Sequence, residues 1–488
     1  MKWMNVAAVA VVSLAVAAPA SAVELGIGDA APKLEVSQWV KGQPIDLAAA
    51  KGKNIVLVEF WATWCGPCVD SVPHLTELQK HYGPKGVVIV GVTAEDPDNS
   101  LEKVQKFVKD QGDRLGYRIA FDKEGKAEEA FMKAAGAQGI PTLFVVDREG
   151  RIAWIGHPME GVDQVLDQIL SGTYDLKVAR RKYELQRETE EAMFSGDWEG
   201  VIKLSDETLT LDPRSVRAFR SKLMVYIMHL EDLGKARKTA EQAFEALKDD
   251  APDLALMAKM LVEDDDPHGL NAMAIEAVTQ AAKMAPKDGD VRSAQYVVLA
   301  AAGRDDEALT VANETIDLIK ADPAALGRFA RTLSSPDPKH RCNDLALKAV
   351  ALALSAEPDR AEHLQTKFLI LATCKQDHKA AEIVGRYLVE KAANDAGLLN
   401  GFSWGLLTDE ATKGKYNELA LIAAQRCHEA SGGKNWSYLD TLALAKFENG
   451  AVAEAIELEK KAIELCENEA MKEQLTEVLA RFEADQKD

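Results

Sequence analysis

The feature that most constrains this chain is a pair of cysteines, Cys65 and Cys68, placed between a strand pattern and a helix pattern. The preceding residues 54–61 are mostly apolar, which predicts a buried strand. The apolar positions after Cys68 recur at intervals of three and four residues as far as Tyr82 and predict a helix. The two thiols therefore stand at a helix start, where the first N–H groups and the helix dipole stabilise a thiolate.

Strand and helix patterns continue to alternate as far as about residue 172. Further strands are predicted at 86–92, 117–121, 143–146 and 151–156, and further helices at 101–108, 126–135 and 161–170. A turn at residues 148–150 joins the last two strands as a hairpin. This order predicts an α/β domain in which a central mixed sheet is flanked by helices.

The composition changes from about residue 178, where β-branched runs give way to Ala, Leu, Glu and Lys. Small residues seven apart, such as Ala236 with Ala243 and Ala455 with Ala462, recur along this half at intervals of 34 to 39 residues. That interval predicts antiparallel helix pairs repeated about eight times. Because one pair cannot bury its apolar face alone, we expect the pairs to stack into a solenoid with a concave surface.

The first 22 residues indicate export. Lys2 is followed by the apolar segment 6–17 and by the small residues 20–22, which is the pattern of a signal peptide cleaved after Ala22. An uncleaved membrane anchor is the alternative. We therefore expect a periplasmic or secreted protein that does not span the membrane after cleavage, in a compartment where disulfides persist.

These boundaries predict a signal peptide at 1–22, an α/β domain at 23–172, a connecting helix or linker at 173–190 and helical repeats at 191–488. The formal charge is -20 and the isoelectric point about 5.0. Such acidity argues against a nucleic-acid partner.

Three kinds of site fit two cysteines separated by two residues. A zinc site needs four ligands, and no second Cys or His pair stands at close spacing in the α/β domain, so no metal is expected. A purely structural disulfide is the second alternative, although so small a loop restrains little chain entropy. In a redox site, Cys65 on the exposed edge of the turn attacks a substrate disulfide and Cys68, deeper in the helix, resolves the mixed disulfide.

Residues 60–68 with Pro73, and residues 139–142, resemble thioredoxin, and residues 24–172 are most similar to the exported thioredoxin-like reductases of the TlpA/ResA type. The resemblance implies a thioredoxin fold, a cis Pro141 and a substrate that pairs with the backbone of Ile140. A trans Pro141 that simply starts a strand is the alternative. We assign five residues to substrate binding: Trp64, Gly66, Pro67, Ile140 and Pro141.

Glu59 interrupts an otherwise apolar strand six residues before Cys65. The resemblance aligns it with the buried acid of thioredoxin. Desolvation there would raise the pKa of the carboxyl group, which could then accept the proton of Cys68 during resolution. The alternative is a glutamate that faces solvent at the strand end.

Residues 436–465 resemble a tetratricopeptide repeat through six positions: Leu439, Leu442, Ala443, Gly450, Ala455 and Ala462. The resemblance implies a surface that binds peptides or partner proteins. By repeat register Cys342 begins the second helix of one pair and Cys374 ends the first helix of the next, which predicts a structural disulfide between them. A Cys427–Cys466 disulfide is a weaker expectation, because Cys427 occupies a packing position.

Taken as a whole, the sequence predicts an exported thiol-disulfide oxidoreductase that reduces protein disulfides through the redox-active pair Cys65–Cys68, with a repeat region that binds partner proteins. No nicotinamide or flavin motif is present, so we expect no cofactor and a protein electron donor, such as a membrane thiol relay. The alternative is a tetratricopeptide-type scaffold or adaptor in which the redox site is secondary or inactive.

Overall fold

The computed structural model describes residues 25–96, 99–137, 139–263, 266–334, 342–393, 395–433, 435–466 and 469–486. The signal peptide predicted at 1–22 lies outside these residues. The chain divides into two compact units, one comprising the residues up to Ala94 with Leu101–Arg180, the other Arg181 onwards with Glu95–Ser100. Within the described residues, no helix combines the length and the apolar character needed to cross a bilayer.

The first unit is built on one six-stranded sheet. Its strands are β1 Gln38–Lys41, β2 Ile55–Phe60, β3 Val87–Ala94, β4 Arg118–Asp122, β5 Thr142–Val146 and β6 Ile152–Gly156. The spatial order is β1-β4-β3-β2-β5-β6, in which β2, β3 and β4 are parallel while β1, β5 and β6 run antiparallel to their neighbours. The predicted mixed sheet is confirmed.

Helices accompany this sheet in the predicted alternation. They are α1 Leu47–Ala50, α2 Gly66–Tyr82, α3 Leu101–Gln111, α4 Lys126–Glu128, which continues as a π turn over Glu129–Lys133, and α5 Val162–Ser171. Short 3-10 turns follow α2 and α3 at Gly83–Lys85 and Gly112–Arg114. Every residue of β2 is buried, and the strand pairs with β3 on one side and with β5 on the other. This central strand leads into α2, whose start carries both cysteines.

The rest of the described chain is helical. Its helices are α6 Leu176–Ser195, α7 Trp198–Leu211, α8 Val216–Met224, α9 Leu233–Leu247, α10 Ala251–Leu261, α11 Asn271–Met284, α12 Gly289–Ala301, α13 Asp305–Ile319, α14 Pro323–Leu333, α15 Asn343–Ala356, α16 Ala361–Leu369, α17 His378–Lys391, α18 Ala396–Thr408, α19 Asn417–Ser431, α20 Trp436–Glu448, α21 Val452–Leu465 and α22 Glu469–Asp485. Helices α8 and α16 each end in a π turn, at Val225–His229 and Ile370–Cys374.

The small residues that predicted helix pairs are core residues in the structure. Ala236 and Ala243 of α9 are fully buried, and so are Ala455 and Ala462 of α21. Consecutive helices such as α14 with α15 and α20 with α21 pack closely on each other. Small side chains allow such close approach, so the seven-residue spacing marks the face along which each helix contacts its neighbours.

One buried acid in this helical region lies beside a second acid. Glu459 of α21 is fully buried, and the carboxyl group of Asp440 lies close to its own. Desolvation, with the nearby Asp440 carboxyl adding to it, raises the pKa of Glu459 to about 8. The native state therefore holds this group neutral at pH 7, whereas the unfolded chain ionises it.

Replacing Glu459 with glutamine is expected to stabilise the folded chain at pH 8 by about 1–2 kcal/mol and to change little at pH 4. An acid whose pKa is raised in the folded state contributes fully to stability at pH values below its unfolded pKa. That contribution is lost as the pH rises from the unfolded pKa towards the folded pKa. Urea unfolding at both pH values measures the difference, with the exposed Glu457→Gln as the control on the same helix. An equal effect at pH 4 and pH 8 would contradict this account.

Candidate active site

The two cysteines are joined at the start of α2. The Cys65–Cys68 disulfide has an S–S distance of 2.09 Å and a Cα–Cα distance of 5.2 Å. Cys65 is the N-cap residue of α2, and its sulfur accepts a hydrogen bond from the Cys68 amide at 3.3 Å. In the reduced chain the same amide and the helix dipole favour the thiolate of Cys65.

The exposed part of this turn is not Cys65 itself. Cys65 is 5% exposed and Cys68 fully buried, whereas the side chain before them, Trp64, is 48% exposed. Gly66 and Pro67 are also exposed. The expectation that Cys65 would lie on an exposed edge is therefore corrected, because the fold packs its sulfur into the domain core and leaves only a small part in contact with solvent.

A second segment borders the Cys65 sulfur. The peptide bond between Ile140 and Pro141 is cis, so the trans alternative does not occur in the structure. The carbonyl oxygen of Ile140 lies 3.8 Å from Cys65 Sγ. Pro141 leads directly into β5, the strand that pairs with β2, and this pairing brings the loop to the cysteines across 75 residues of sequence.

Glu59 lies beneath the cysteine turn and is fully buried, which rules out the solvent-facing alternative. The Ser71 hydroxyl is 3.1 Å from one carboxyl oxygen, and the Tyr117 hydroxyl donates to the other at 3.1 Å. Desolvation outweighs both hydrogen bonds and raises the pKa of Glu59 to about 8. The carboxyl group is thus mostly neutral at pH 7 and has a pKa in the range that suits a proton acceptor for a thiol.

Ser71 connects this acid to Cys68. Its hydroxyl is 2.7 Å from the Cys68 carbonyl oxygen as well as 3.1 Å from Glu59. A hydroxyl has one proton, so it can donate to only one of these oxygens at a time. A neutral Glu59 can donate to Ser71 while Ser71 donates to Cys68, whereas an ionised Glu59 competes for that proton. The charge of Glu59 is therefore coupled to the first turn of α2.

Ser71 and Tyr117 are two further site residues, and neither was predicted from the sequence. Ser71 stands three residues after Cys68, a spacing that places both on one face of α2, and this signal was available. Tyr117 reaches Glu59 from 58 residues away, just before β4, and no local pattern marks it.

Among the described residues, no group of three or more His, Cys, Asp or Glu side chains is arranged to hold a metal ion.

The predicted bridge between Cys342 and Cys374 is not formed in the structure, which records both as half-buried thiols. The predicted placement does hold: Cys342 immediately precedes α15, and Cys374 ends the π turn that follows α16. The thiols face different partners, because Cys342 is hydrogen-bonded with the Tyr296 hydroxyl while Cys374 Sγ lies 3.9 Å from the Ser334 carbonyl oxygen.

Cys427 and Cys466 are also recorded as thiols, and both are buried. Cys427 belongs to a large hydrophobic cluster with residues of α16 to α22, and Cys466 to a smaller one with Leu439 and Leu475. The weaker predicted bridge is therefore not formed in the structure.

Comparison with known proteins addresses the first unit. Residues 27–169 match the family model described as Redoxin. The thiol-disulfide oxidoreductase ResA of Bacillus thuringiensis subsp. konkukian is 35% identical over 129 residues, which are 26% of this chain and 68% of that protein. The chain belongs to the ResA family of thiol-disulfide oxidoreductases. The Cys65–Cys68 pair of this ResA-type domain accordingly stands in a thioredoxin-like oxidoreductase fold.

Two further relatives extend the comparison. The protein FixW of Rhizobium leguminosarum is 26% identical over 210 residues, covering 39% of this chain and 94% of that protein. A solved structure from Chlorobium tepidum, described as a putative thiol:disulfide interchange protein DsbE, is 28% identical, covers 30% of this chain and 99% of that chain, and has a TM-score of 0.26.

Proposed function

We propose that this chain is an exported oxidoreductase that reduces disulfides in other proteins through the Cys65/Cys68 dithiol. One observation carries the proposal: Cys65 caps α2 beside the Ile140 carbonyl, and the buried Glu59 is linked to Cys68 through the Ser71 hydroxyl. This arrangement supplies a stabilised thiolate, a neighbouring backbone segment for a substrate and a proton acceptor for the second thiol.

The reduction takes place in two exchanges. The Cys65 thiolate attacks one sulfur of the substrate disulfide, forms a mixed disulfide and releases the first substrate thiolate. Cys68 loses its proton and attacks Cys65 Sγ, which releases the second substrate thiolate and forms the Cys65–Cys68 disulfide. The substrate gains two electrons and the enzyme dithiol loses two, so a protein electron donor must reduce Cys65–Cys68 before the next cycle.

Glu59 accepts the Cys68 proton during the second exchange in this proposal. Its pKa of about 8 is close to that of a thiol, so the transfer between them is nearly balanced. Ser71 and Tyr117 are positioning residues, since they hold the two carboxyl oxygens and contact no substrate.

Substrate binding is assigned to the surface around Cys65. An extended substrate segment would pair with the Ile140 backbone in the manner of an added strand, next to the cis Pro141. The exposed residues Trp64, Gly66 and Pro67 would contact the other side of that segment. Aromatic area of this kind contributes binding energy without demanding one substrate sequence.

We further propose that residues 1–22 direct export and that the helical region is a tetratricopeptide-like repeat that binds partner proteins. A cavity of about 440 Å³ supports the second part, since it lies between α10, α12 and α14. Its lining combines the apolar Leu256 and Phe329 with the charged Lys259, Asp290 and Arg328. Mixed lining of this type suits a peptide that presents both apolar and charged side chains.

Insulin reduction in the presence of dithiothreitol tests the activity. The full chain is expected to accelerate precipitation of the insulin B chain, and Cys65→Ser is expected to abolish that acceleration because no other thiol replaces the nucleophile. Cys466→Ser, which removes a buried thiol from the helical region, is the control and should retain the activity. An active Cys65→Ser chain would contradict the proposal, and an inactive wild-type chain would favour the scaffold alternative.

A further inference from the structure

Two thiols outside the ResA-type domain, Cys342 and Cys374, belong to chain segments that run side by side. Asn343 Nδ2 donates to the Cys374 carbonyl oxygen at 3.3 Å, and the next residues along each segment, Asp344 and Lys375, form an ion pair. These contacts join the α14–α15 pair to the α16–α17 pair at the edge where both cysteines lie.

Both cysteines also contact the end of α14. The Cys342 amide donates to the Leu333 carbonyl oxygen at 2.9 Å, and Cys374 Sγ lies 3.9 Å from the carbonyl oxygen of the next residue, Ser334. The two cysteines thus lie next to each other because they contact the consecutive carbonyl groups of Leu333 and Ser334. A cysteine side chain has a single heavy-atom torsion, so rotation at each residue redirects its sulfur away from its present partner.

The same backbone contact occurs elsewhere without cysteines. Asn417 Nδ2 donates to the Glu448 carbonyl oxygen at 3.0 Å, across the same 31-residue separation as Asn343 and Cys374. Tyr416 stands where Cys342 would be, and Glu448 where Cys374 would be. The asparagine contact therefore joins neighbouring helix pairs by itself, and the thiol pair is an addition to it rather than a requirement of folding.

Exposure also distinguishes this pair. Cys342 and Cys374 are half-buried, whereas Cys427 and Cys466 are buried. Thiolate access governs exchange, so the two half-buried thiols are the ones in the helical region that a disulfide reagent can reach without unfolding.

We propose that Cys342 and Cys374 form a second thiol-disulfide exchange site, whose oxidised form links the α14–α15 and α16–α17 helix pairs. One cysteine, as thiolate, attacks a small-molecule disulfide such as oxidised glutathione and releases one thiolate from it. The second cysteine attacks the resulting mixed disulfide, releases the other thiolate and closes the Cys342–Cys374 bond. Two thiols are oxidised and one external disulfide is reduced, and a dithiol reverses the reaction. The site does not depend on the proposed function of Cys65 and Cys68.

Thiol mapping in glutathione buffers tests this proposal on the full chain carrying Cys65→Ser and Cys68→Ser. With increasing oxidised glutathione, both thiols are expected to disappear together and a linked Cys342–Cys374 peptide to appear in the mass spectrum, while Cys427 and Cys466 remain thiols. The oxidised chain should unfold about 5 °C higher, because the link constrains the unfolded chain. Dithiothreitol should restore both thiols and the lower midpoint.

The variant Cys374→Ser is the matched control, in which Cys342 should accept at most one glutathione and the unfolding midpoint should not rise. The proposal is overturned if Cys342 and Cys374 stay as thiols in buffers that oxidise Cys65 and Cys68 in the wild-type chain. A link that forms only after unfolding in urea, or one that dithiothreitol cannot reduce in the folded chain, would also overturn it.

Discussion

Glu59→Gln is expected to slow the steady-state reduction of insulin at pH 8 by about 10- to 100-fold. Glutamine fills the same volume and keeps hydrogen-bonding capacity for Ser71 and Tyr117, but it cannot accept the Cys68 proton. Alkylation of Cys65 in the reduced chain should change by no more than a few-fold, because the Cys68 amide at the start of α2 remains in place. Unchanged insulin turnover would remove Glu59 from the mechanism.

The pH dependence of the same reaction gives a second readout of Glu59. Burial raises the pKa of this acid to about 8, so its ionised, proton-accepting fraction grows as pH rises through that value. The rate of resolution in the wild-type chain should rise over the same range, and Glu59→Gln should remove that component. The other ionisable groups that contribute to the profile are the thiols of Cys65 and Cys68. Burial and the neighbouring Glu59 raise the pKa of Tyr117 well above its usual value, so its hydroxyl stays protonated over this range.

Tyr117→Phe is the matched control for this profile. It removes one hydrogen bond that favours the ionised carboxylate but retains the carboxyl group, so the rise in rate should move to higher pH without being lost. A profile for Tyr117→Phe identical to that of the wild-type chain would show that the hydroxyl does not position Glu59.

Cys68→Ser is expected to reduce steady-state insulin reduction by about three orders of magnitude, because the mixed disulfide on Cys65 has no internal thiol to resolve it. The first exchange should still occur, so one equivalent of substrate should accumulate on the chain. Cys65→Ser is the control that should accumulate none through this site. In a single-turnover reaction without dithiothreitol, release of the trapped substrate from the Cys68→Ser chain would mean that resolution does not need Cys68.

The sequence predicted those parts of the site that are local in the chain. The apolar run ending at Phe60 and the helical spacing after Cys68 identified the strand, the turn and the helix. Glu59 was recognisable because a charged residue within a buried strand costs free energy unless it has a function or a partner. The alternation of strand and helix patterns likewise predicted the mixed sheet, because each pattern is read from residues that are close in the sequence.

The parts that the sequence did not predict depend on contacts between distant segments. Tyr117 precedes β4, which lies two strands away from β2, and the fold of the sheet brings its hydroxyl to Glu59. The residues next to Tyr117 in the sequence do not indicate a carboxyl partner. The burial of Cys65 was missed for the same reason, since the sequence shows a helix start but not the core that covers it.

The helical region shows the same limit. Repeat register placed Cys342 and Cys374 on one edge, and the structure places both there. The direction of each thiol depends instead on its contact with Tyr296 or Ser334, which lie in α12 and at the end of α14. Periodicity assigns residues to faces and edges, whereas side-chain partners are set by packing between helices.

The most direct test of the central claim is to locate the bond in the trapped species. Full-length Cys68→Ser chain is mixed with an oxidised protein substrate, quenched with acid and digested without reduction, and the linked peptides are sequenced by mass spectrometry. The account predicts that the substrate cysteine is joined to Cys65. A substrate joined to Cys342, Cys374, Cys427 or Cys466 instead, or no linked species with any disulfide-containing protein, would contradict it.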